Sequence, residues 1–362
     1  MPPERSPQLL TSSDQILRPM NRLSPLTIAV GLLIGLGASP AVAQQDEDPQ
    51  SYPVGNPVGV PAAPGGDQAY EPASANVTMY GALYSAESCT YDPERDVIVV
   101  PNRGAPQSAR TNDAFVSFIN RDGSVRTPRW LGVQPPSERA ELDPPLTLNH
   151  PLGSDIAHGT LHLADQDGGT SEDDPSVAVV RQFDLKTGRP VGETRIEDAP
   201  WINDIEVTED GTIYVTQTGD LGEDPDPSTW RVWEIAPGGT PSVLIEGDPL
   251  RQPNGLGIDR EGNLVVVNYG NDEVLTFSRD GELLTTETAA QPGGDGLVIM
   301  PDGTKYTSSV AEGGISRIRP DGSTELVARN IPSAASMCYD PKGHQLVVPM
   351  NPNNGLAFVA LE

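Results

Sequence analysis

The chain has 362 residues and a net charge of −28, which excludes nucleic acid as a partner, because phosphate binding needs a basic face. Hydrophobic residues at 36% and charged residues at 20% mark a globular chain, long enough for one large all-β domain or two ordinary ones. Aromatics at 5%, with 37 Gly and 37 Pro, favour many short strands joined by turns over long helices.

Residues 1–43 read as a targeting segment. Arg18 and Arg22 precede the apolar run "LTIAVGLLIGLGA", and Ala41 and Ala43 form an A-x-A cleavage site before Gln44. The apolar run is too short for a comfortable transmembrane helix. Met20 offers a second start, with residues 1–19 as an upstream extension. The expected product is periplasmic or secreted, with no membrane attachment after cleavage. Only Lys186, Lys305 and Lys342 are lysines, so the surface is acidic and Lys-poor. Such a surface keeps an exported protein soluble and can collect cations. Residues 44–76 carry no core-forming pattern and read as a disordered Pro/Gly/Ala tether.

From residue 77 a strand-turn-strand unit recurs. It appears as "AESCTYDPERDVIVVPN", "INDIEVTEDGTIYVTQ", "PNGLGIDREGNLVVVN", "GDGLVIMPDGTKYTSS" and "AASMCYDPKGHQLVVPM", with a shorter-turned copy, "GSDIAHGTLHLADQ". Further short strands follow each copy. Units of about 48 residues with four short antiparallel strands predict a six-bladed all-β propeller over residues 77–362. A two-sheet sandwich has no need of six near-identical units. The early "VTMYGALY" and the terminal "GLAFVALE" are expected to share one blade and close the ring, which removes open edges. A closed ring needs no partner, so a monomer is expected.

Counting back five residues from the turn of each unit gives one column: Glu87, Asn203, Asn254, Asp295 and Ala335, with Ser154 for the short-turned copy. First residues of inner strands line one end of a propeller's central channel. Two carboxylates and two carboxamides there suit a hard cation, Ca²⁺ first, with Mg²⁺, Mn²⁺ or Zn²⁺ as alternatives. The column holds no Cys or His, which argues against a structural zinc site. Gly255 is expected to let the backbone pass close to whatever the ring holds. Ser154 and Ala335 are small and leave room for a substrate beside the ion.

Glu87 in "SAESCTYD", Asn203 in "INDIEVTEDG", Asn254 in "QPNGLGID" and Asp295 in "GGDGL" together resemble the senescence-marker-protein/gluconolactonase (regucalcin-like) family, which is related to diisopropylfluorophosphatase-type propellers. The resemblance covers residues 77–362. It implies a divalent cation held by Glu87, Asn203, Asn254 and Asp295, and hydrolysis of sugar lactones or related esters. Two positions depart from the family. Ser88-Cys89 replaces a Gly-Pro, and Trp201 stands where many sugar lactonases carry Arg, so Trp201 predicts a flatter or more apolar substrate.

The expected reaction is hydrolysis of a small lactone whose carbonyl is polarised by the cation, with Asp295 or Asp204 deprotonating water. Trp201 and Ser154 are the substrate-binding candidates. Asp204 neighbours a ring residue, so its side chain is expected to point into the blade wall, as is that of Asp155 at the same offset; this favours Asp295. The competing reading is a non-catalytic propeller that binds a ligand or protein and holds a structural calcium ion. A quinone-dependent dehydrogenase fits less well, because the ring offers no cationic or stacking residues. His150, His158, His162 and His344 are read as exposed turn residues. Cys89 and Cys338 sit one residue out of register before "YD", so their side chains are expected on opposite faces, as a free buried pair rather than a disulfide.

Overall fold

The computed structural model describes residues 59–61, 70–72, 74–80, 83–103, 111–171, 173–222 and 224–362. The targeting segment lies outside the described residues. Within the tether, Gly59–Pro61 pairs antiparallel with Tyr70–Pro72. A three-residue ladder needs only backbone pairing, so it leaves no hydrophobic periodicity to read.

Six four-stranded antiparallel sheets follow one another along the chain. Blade one runs through Thr90–Asp92, Val97–Asn102, Phe115–Ile119 and Val125–Leu131. Blade two spans Ser154 to Ile196, blade three Ile205 to Glu246, blade four Pro253 to Thr288, and blade five Gly294 to Ala328. Blade six takes Cys338–Asp340, Gln345–Pro349 and Leu356–Ala360, and is completed by Val77–Tyr80 from the other end of the domain. Each inner strand is joined to the next by a tight turn. In blades three, four and five Gly211, Gly262 and Gly303 hold φ of 86°, 84° and 87°, a conformation that a side chain rarely adopts.

Alternation in each strand sends apolar side chains into the seams between blades. One seam packs Val97, Val99, Val116 and Phe118 of blade one against Leu161, Leu163 and Phe183 of blade two. The next joins Ala178, Val180 and Ile196 to Ile205, Val215 and Trp233. The outermost strand is the exposed one in blade four, where Leu283–Thr288 faces solvent along almost its whole length. Blades are thus held by side-to-side burial, and the channel is left to polar atoms.

Cys89 and Cys338 form a disulfide, with Cα atoms 5.5 Å apart across a sequence separation of 249. This corrects the expectation of a free pair. Strict alternation governs residues within a ladder, and Cys89 stands one residue before the first paired residue, Thr90. Its partner opens the inner strand of the adjacent blade, so the bond staples blade six to blade one beside the closure. Replacing both cysteines by Ala should lower stability by about 2–5 kcal/mol through the freed unfolded chain. Thermal unfolding of the variant beside the oxidised protein measures this; equal midpoints would show that the staple contributes nothing.

Candidate functional site: a ring of unpartnered oxygens at the channel mouth

Matching rungs fix which residues share a level. Ala86 bridges Asn102, Pro253 pairs with Asn268, Gly294 with Ser309, and Ala334 with Met350. The next residue in each chain is therefore equivalent: Glu87, Asn254, Asp295 and Ala335. In blade three Asn203 donates its backbone N–H to Thr216 O, and Thr216 donates back to Asp204 O. In blade two the same pair of bonds links Leu152 to Ala164 and Ala164 to Gly153. Leu152, and not Ser154, thus stands level with Asn203.

Ser154 lies two residues further along. Its hydroxyl donates to Ser88 Oγ at 2.9 Å, in the seam between blades one and two, while Ser88 spends its own proton on Leu152 O. The shift has a local cause. Blade two turns through only two residues, His158 and Gly159, both at positive φ (52° and 75°), so a count from the turn lands two places late. The ring therefore reads Glu87, Leu152, Asn203, Asn254, Asp295, Ala335.

The residue after each ring position faces the next blade. A Cβ on Gly255 would stand 2.2 Å from Asp295 O, one on Gly296 would stand 2.5 Å from Met337 N, and one on Gly153 would stand 2.6 Å from Asn203 O. Gly255 thus admits the neighbouring backbone rather than a ligand. Ring carbonyls are consumed in the same seams. Leu152 O accepts from Ser88 Oγ (2.5 Å), Asn203 O from Gly153 N (2.7 Å), Asn254 O from Thr216 Oγ1 (2.6 Å) and Ala335 O from Ser308 Oγ (2.8 Å).

The side-chain oxygens have no such outlet. Glu87 Oε2, Asn203 Oδ1, Asn254 Oδ1 and Asp295 Oδ1 are all buried without a hydrogen-bond partner. Asn203 spends its amide nitrogen on Thr218 Oγ1 at 3.2 Å, which turns its oxygen the other way. Four orphaned acceptors at one level are costly unless a donor or cation meets them. Among the described residues no group of three or more His, Cys, Asp or Glu forms a metal cluster; the ring reaches four oxygens only by counting its two carboxamides. That mixture of carboxylate and amide oxygen is what a hard cation takes.

The electrostatics agree. Burial pushes the Glu87 carboxyl up to about 7, against the pull of the Arg103 charge and the Asp295 side chain. Asp295 is raised well above the carboxylate range, by burial first and then by the Glu87 and Asp204 charges. Arg103 and the Asn254 carboxamide pull it back. A divalent charge at the ring would reverse both shifts.

Asp204 is turned into the seam, as its neighbour's role requires. Its Oδ1 accepts from Ile205 N (3.0 Å) and its Oδ2 from Leu256 N of blade four (3.0 Å). Burial, followed by the nearby carboxylates, raises it to about 8. Asp155 makes the same kind of bond from blade two to Val207 N (2.9 Å).

Above the ring opens a cavity of about 730 Å³. Glu87, Asn203 and Asp295 line it, with Leu152, Trp201 and Arg103. Trp201 is half-buried on its wall. Arg103, His150 and Gln166 also face it and escaped sequence reading, since no repeat marks them. His150 corrects the reading of an exposed turn residue: it is 4% exposed, and its backbone N–H donates to Asp165 Oδ1. His162 is buried too, and burial holds it at about 4, while His158 and His344 are exposed turn residues. Residues 104–110, 172 and 223, in loops between strands, lie outside the described residues.

No protein-family profile matches the chain, and no curated protein matches it. Solved structures do. A crystal structure of a protein named as a candidate gluconolactonase superposes with a TM-score of 0.52 at 18% identity, over 79% of this chain and 92% of its own. A gluconolactonase from Xanthomonas campestris gives 0.52 at 18%, over 80% and 91%. Virginiamycin B lyase from Staphylococcus aureus gives 0.53 at 12%, over 79% and 99%. The chain shares their propeller fold. At these identities the likeness is one of fold, and one fold here serves proteins named as lactonases and as lyases.

The seam bonds of Asp204 give a test. Asp204→Ala should cost about 1–3 kcal/mol for each backbone N–H left buried and unpartnered, seen in denaturant unfolding. A variant of unchanged stability that loses turnover would instead place Asp204 in the reaction.

Proposed function

We propose that this chain is an exported hydrolase of small lactones that depends on a divalent cation, Ca²⁺ first, held by Glu87, Asn203, Asn254 and Asp295. The observation that carries the reading is the four buried side-chain oxygens without partners, three of them on residues that line a substrate-sized cavity, Glu87, Asn203 and Asp295. Ca²⁺ takes about six to eight oxygens, so four protein ligands leave places open for water and substrate. A purely structural ion would be closed in by protein. The gluconolactonases named among the similar structures support the substrate class.

When bound, the cation supplies Lewis acidity to a carbonyl placed against it. The chain's own residues supply the rest. Asp295 takes a proton from water as the water oxygen adds to the lactone carbonyl carbon. The ring C–O bond then breaks, the alkoxide oxygen takes up a proton, and the product is a hydroxy acid. Leu152 contributes an apolar wall and Trp201 a flat one, which limit water and orient the ring. Asp204 holds blades three and four together and thereby positions Asn203 and Asn254.

Hydrolysis of a lactone panel should vanish on chelation and return with Ca²⁺. Asn254→Ala and Asp295→Ala should each lower kcat/KM by at least about 100-fold, the scale of one lost electrostatic contact at the reacting group. Calcium that raises the melting temperature while no lactone or aryl ester turns over would move the chain to the non-catalytic reading.

The raised carboxyls add a pH dependence with a definite sign. Between the usual 4.5 and about 7, the folded state holds the Glu87 proton that the unfolded chain has lost. Without cation, this group's contribution to stability is therefore largest below pH 4.5 and fades as pH rises through 7. A cation displaces that proton. The rise in melting temperature on adding Ca²⁺ should accordingly be larger at about pH 8 than at about pH 5.5; an equal rise at both would argue against Glu87 as a ligand.

A further inference from the structure

Among the described residues that line the cavity Arg103 is the one arginine or lysine, and it is placed to do something other than pair with the ring. The residue is 9% exposed. Its Nε donates to Ser85 O (3.1 Å) and Oγ (3.2 Å), and its Nη2 donates to Ser85 Oγ (2.9 Å) and to Asn351 Oδ1. Two sides of the guanidinium are thus pinned to neutral acceptors from blades one and six. Nη1 donates to no described residue, and the side chain lines the cavity with Glu87 and Asp295. Neither carboxylate comes within ion-pair distance of it among the described residues, although both act on it through space. A rigid, buried, always-charged donor with one free edge is suited to recognising an anion.

Charge counting points the same way and rests on the cation reading above. Two ring carboxylates and one divalent cation cancel. Asp204 adds a further negative charge that reaches Asp295, but its oxygens are spent on Ile205 N and Leu256 N in the blade seam, so among the described residues Arg103 is the charged donor that faces the cavity. Asp220 also lines the cavity, but it is exposed, where water screens its charge. Its Oδ1 is occupied by Gly222 N at 2.9 Å.

We propose that the substrate is itself an anion, a lactone bearing a carboxylate that Arg103 Nη1 binds while the lactone carbonyl lies over the ring. Trp201 stands where many sugar lactonases carry their Arg, so the positive charge that reads the substrate in this chain comes from blade one.

Matched lactones test this. Glucaro-γ-lactone and glucono-γ-lactone share a ring and differ in having a carboxylate or a hydroxymethyl at the far end. The Ca²⁺-loaded protein should prefer the glucaro form in kcat/KM by about 10-fold or more, the scale of one charge-assisted hydrogen bond. Arg103→Met should bring that ratio close to one, and Arg103→Lys should keep part of it. A wild-type ratio near one, or a variant that loses both substrates in proportion, would overturn the inference. Phosphogluconolactone as a third substrate separates carboxylate from phosphate: a stronger preference for it would overturn the carboxylate assignment. A binding arm needs no turnover. Glucarate should raise the melting temperature more than gluconate, and Arg103→Met should abolish the difference. If neither lactone is hydrolysed but this difference holds, the lactonase reading fails and the anion site stands. If glucarate and gluconate bind alike, the anion site fails whatever is hydrolysed.

Discussion

The inner strands lie so close together that their backbones hydrogen-bond sideways, and the site follows from that. Gly153, Gly255 and Gly296 each sit where a single methyl would collide with the adjacent blade. Hydroxyls from Ser88, Thr216 and Ser308 reach ring carbonyls across the same seams. Four of the six ring carbonyls are taken in these seams, while four side-chain oxygens at the same level have no partner among the described residues. A polar atom buried without a partner is expensive, and four such atoms at one level are what the proposed cation would satisfy. The ordering is causal: close seams satisfy the backbone, and the unmet demand is concentrated on Glu87, Asn203, Asn254 and Asp295.

Much of this was legible because a repeat turns sequence into a ruler. Four of the six ring positions follow from a count, since blades one, three, four and five share turns that keep the spacing. Blade six follows as well, with Ala335. The count fails in blade two, where His158-Gly159 makes the tightest turn; it names Ser154 and misses Leu152. The error matters physically, because a hydroxyl and an isobutyl group give that side of the ring opposite characters. The disulfide was misjudged for a related reason. Alternation describes a residue inside a ladder, whereas Cys89 lies just outside one and reaches across to another blade. Arg103 and His150 could not be found by counting at all. They sit at strand ends and in loops whose placement depends on the closed ring, and no other blade repeats them.

Net charge alone says little about a site, and the distribution here shows why. The chain is strongly acidic overall, yet Arg103 lines the same cavity as Glu87 and Asp295 and its charge, acting through space, lowers both of their proton affinities. Asp204 is buried and Asp155 half-buried near the channel, and each spends one oxygen on a backbone N–H of the next blade. Glu87, Asp295, Asp204 and Asp155 thus divide into two jobs. Those that accept from the backbone fasten blades; those that accept from nothing are available to a cation. Hydrogen-bond accounting separates the two where residue type does not.

The ring's two apolar positions complete the logic. Leu152 and Ala335 supply no side-chain oxygen, so a bound cation would be incompletely surrounded, and the gaps do not open onto equivalent walls. Leu152 faces the cavity beside Trp201, on the side of blades two and three. Arg103 and Asn351 stand on the side of blades one and six. An apolar, flat wall and a cationic wall therefore flank the ring, whose floor would become Lewis-acidic with the proposed cation bound. A ligand that is uniform around its perimeter gains nothing from this asymmetry, whereas a ring with an apolar face and a charged substituent fits in one orientation only. Orientation of the scissile bond over the ring would then come from the walls, leaving the four oxygens free to serve the charge that develops between them.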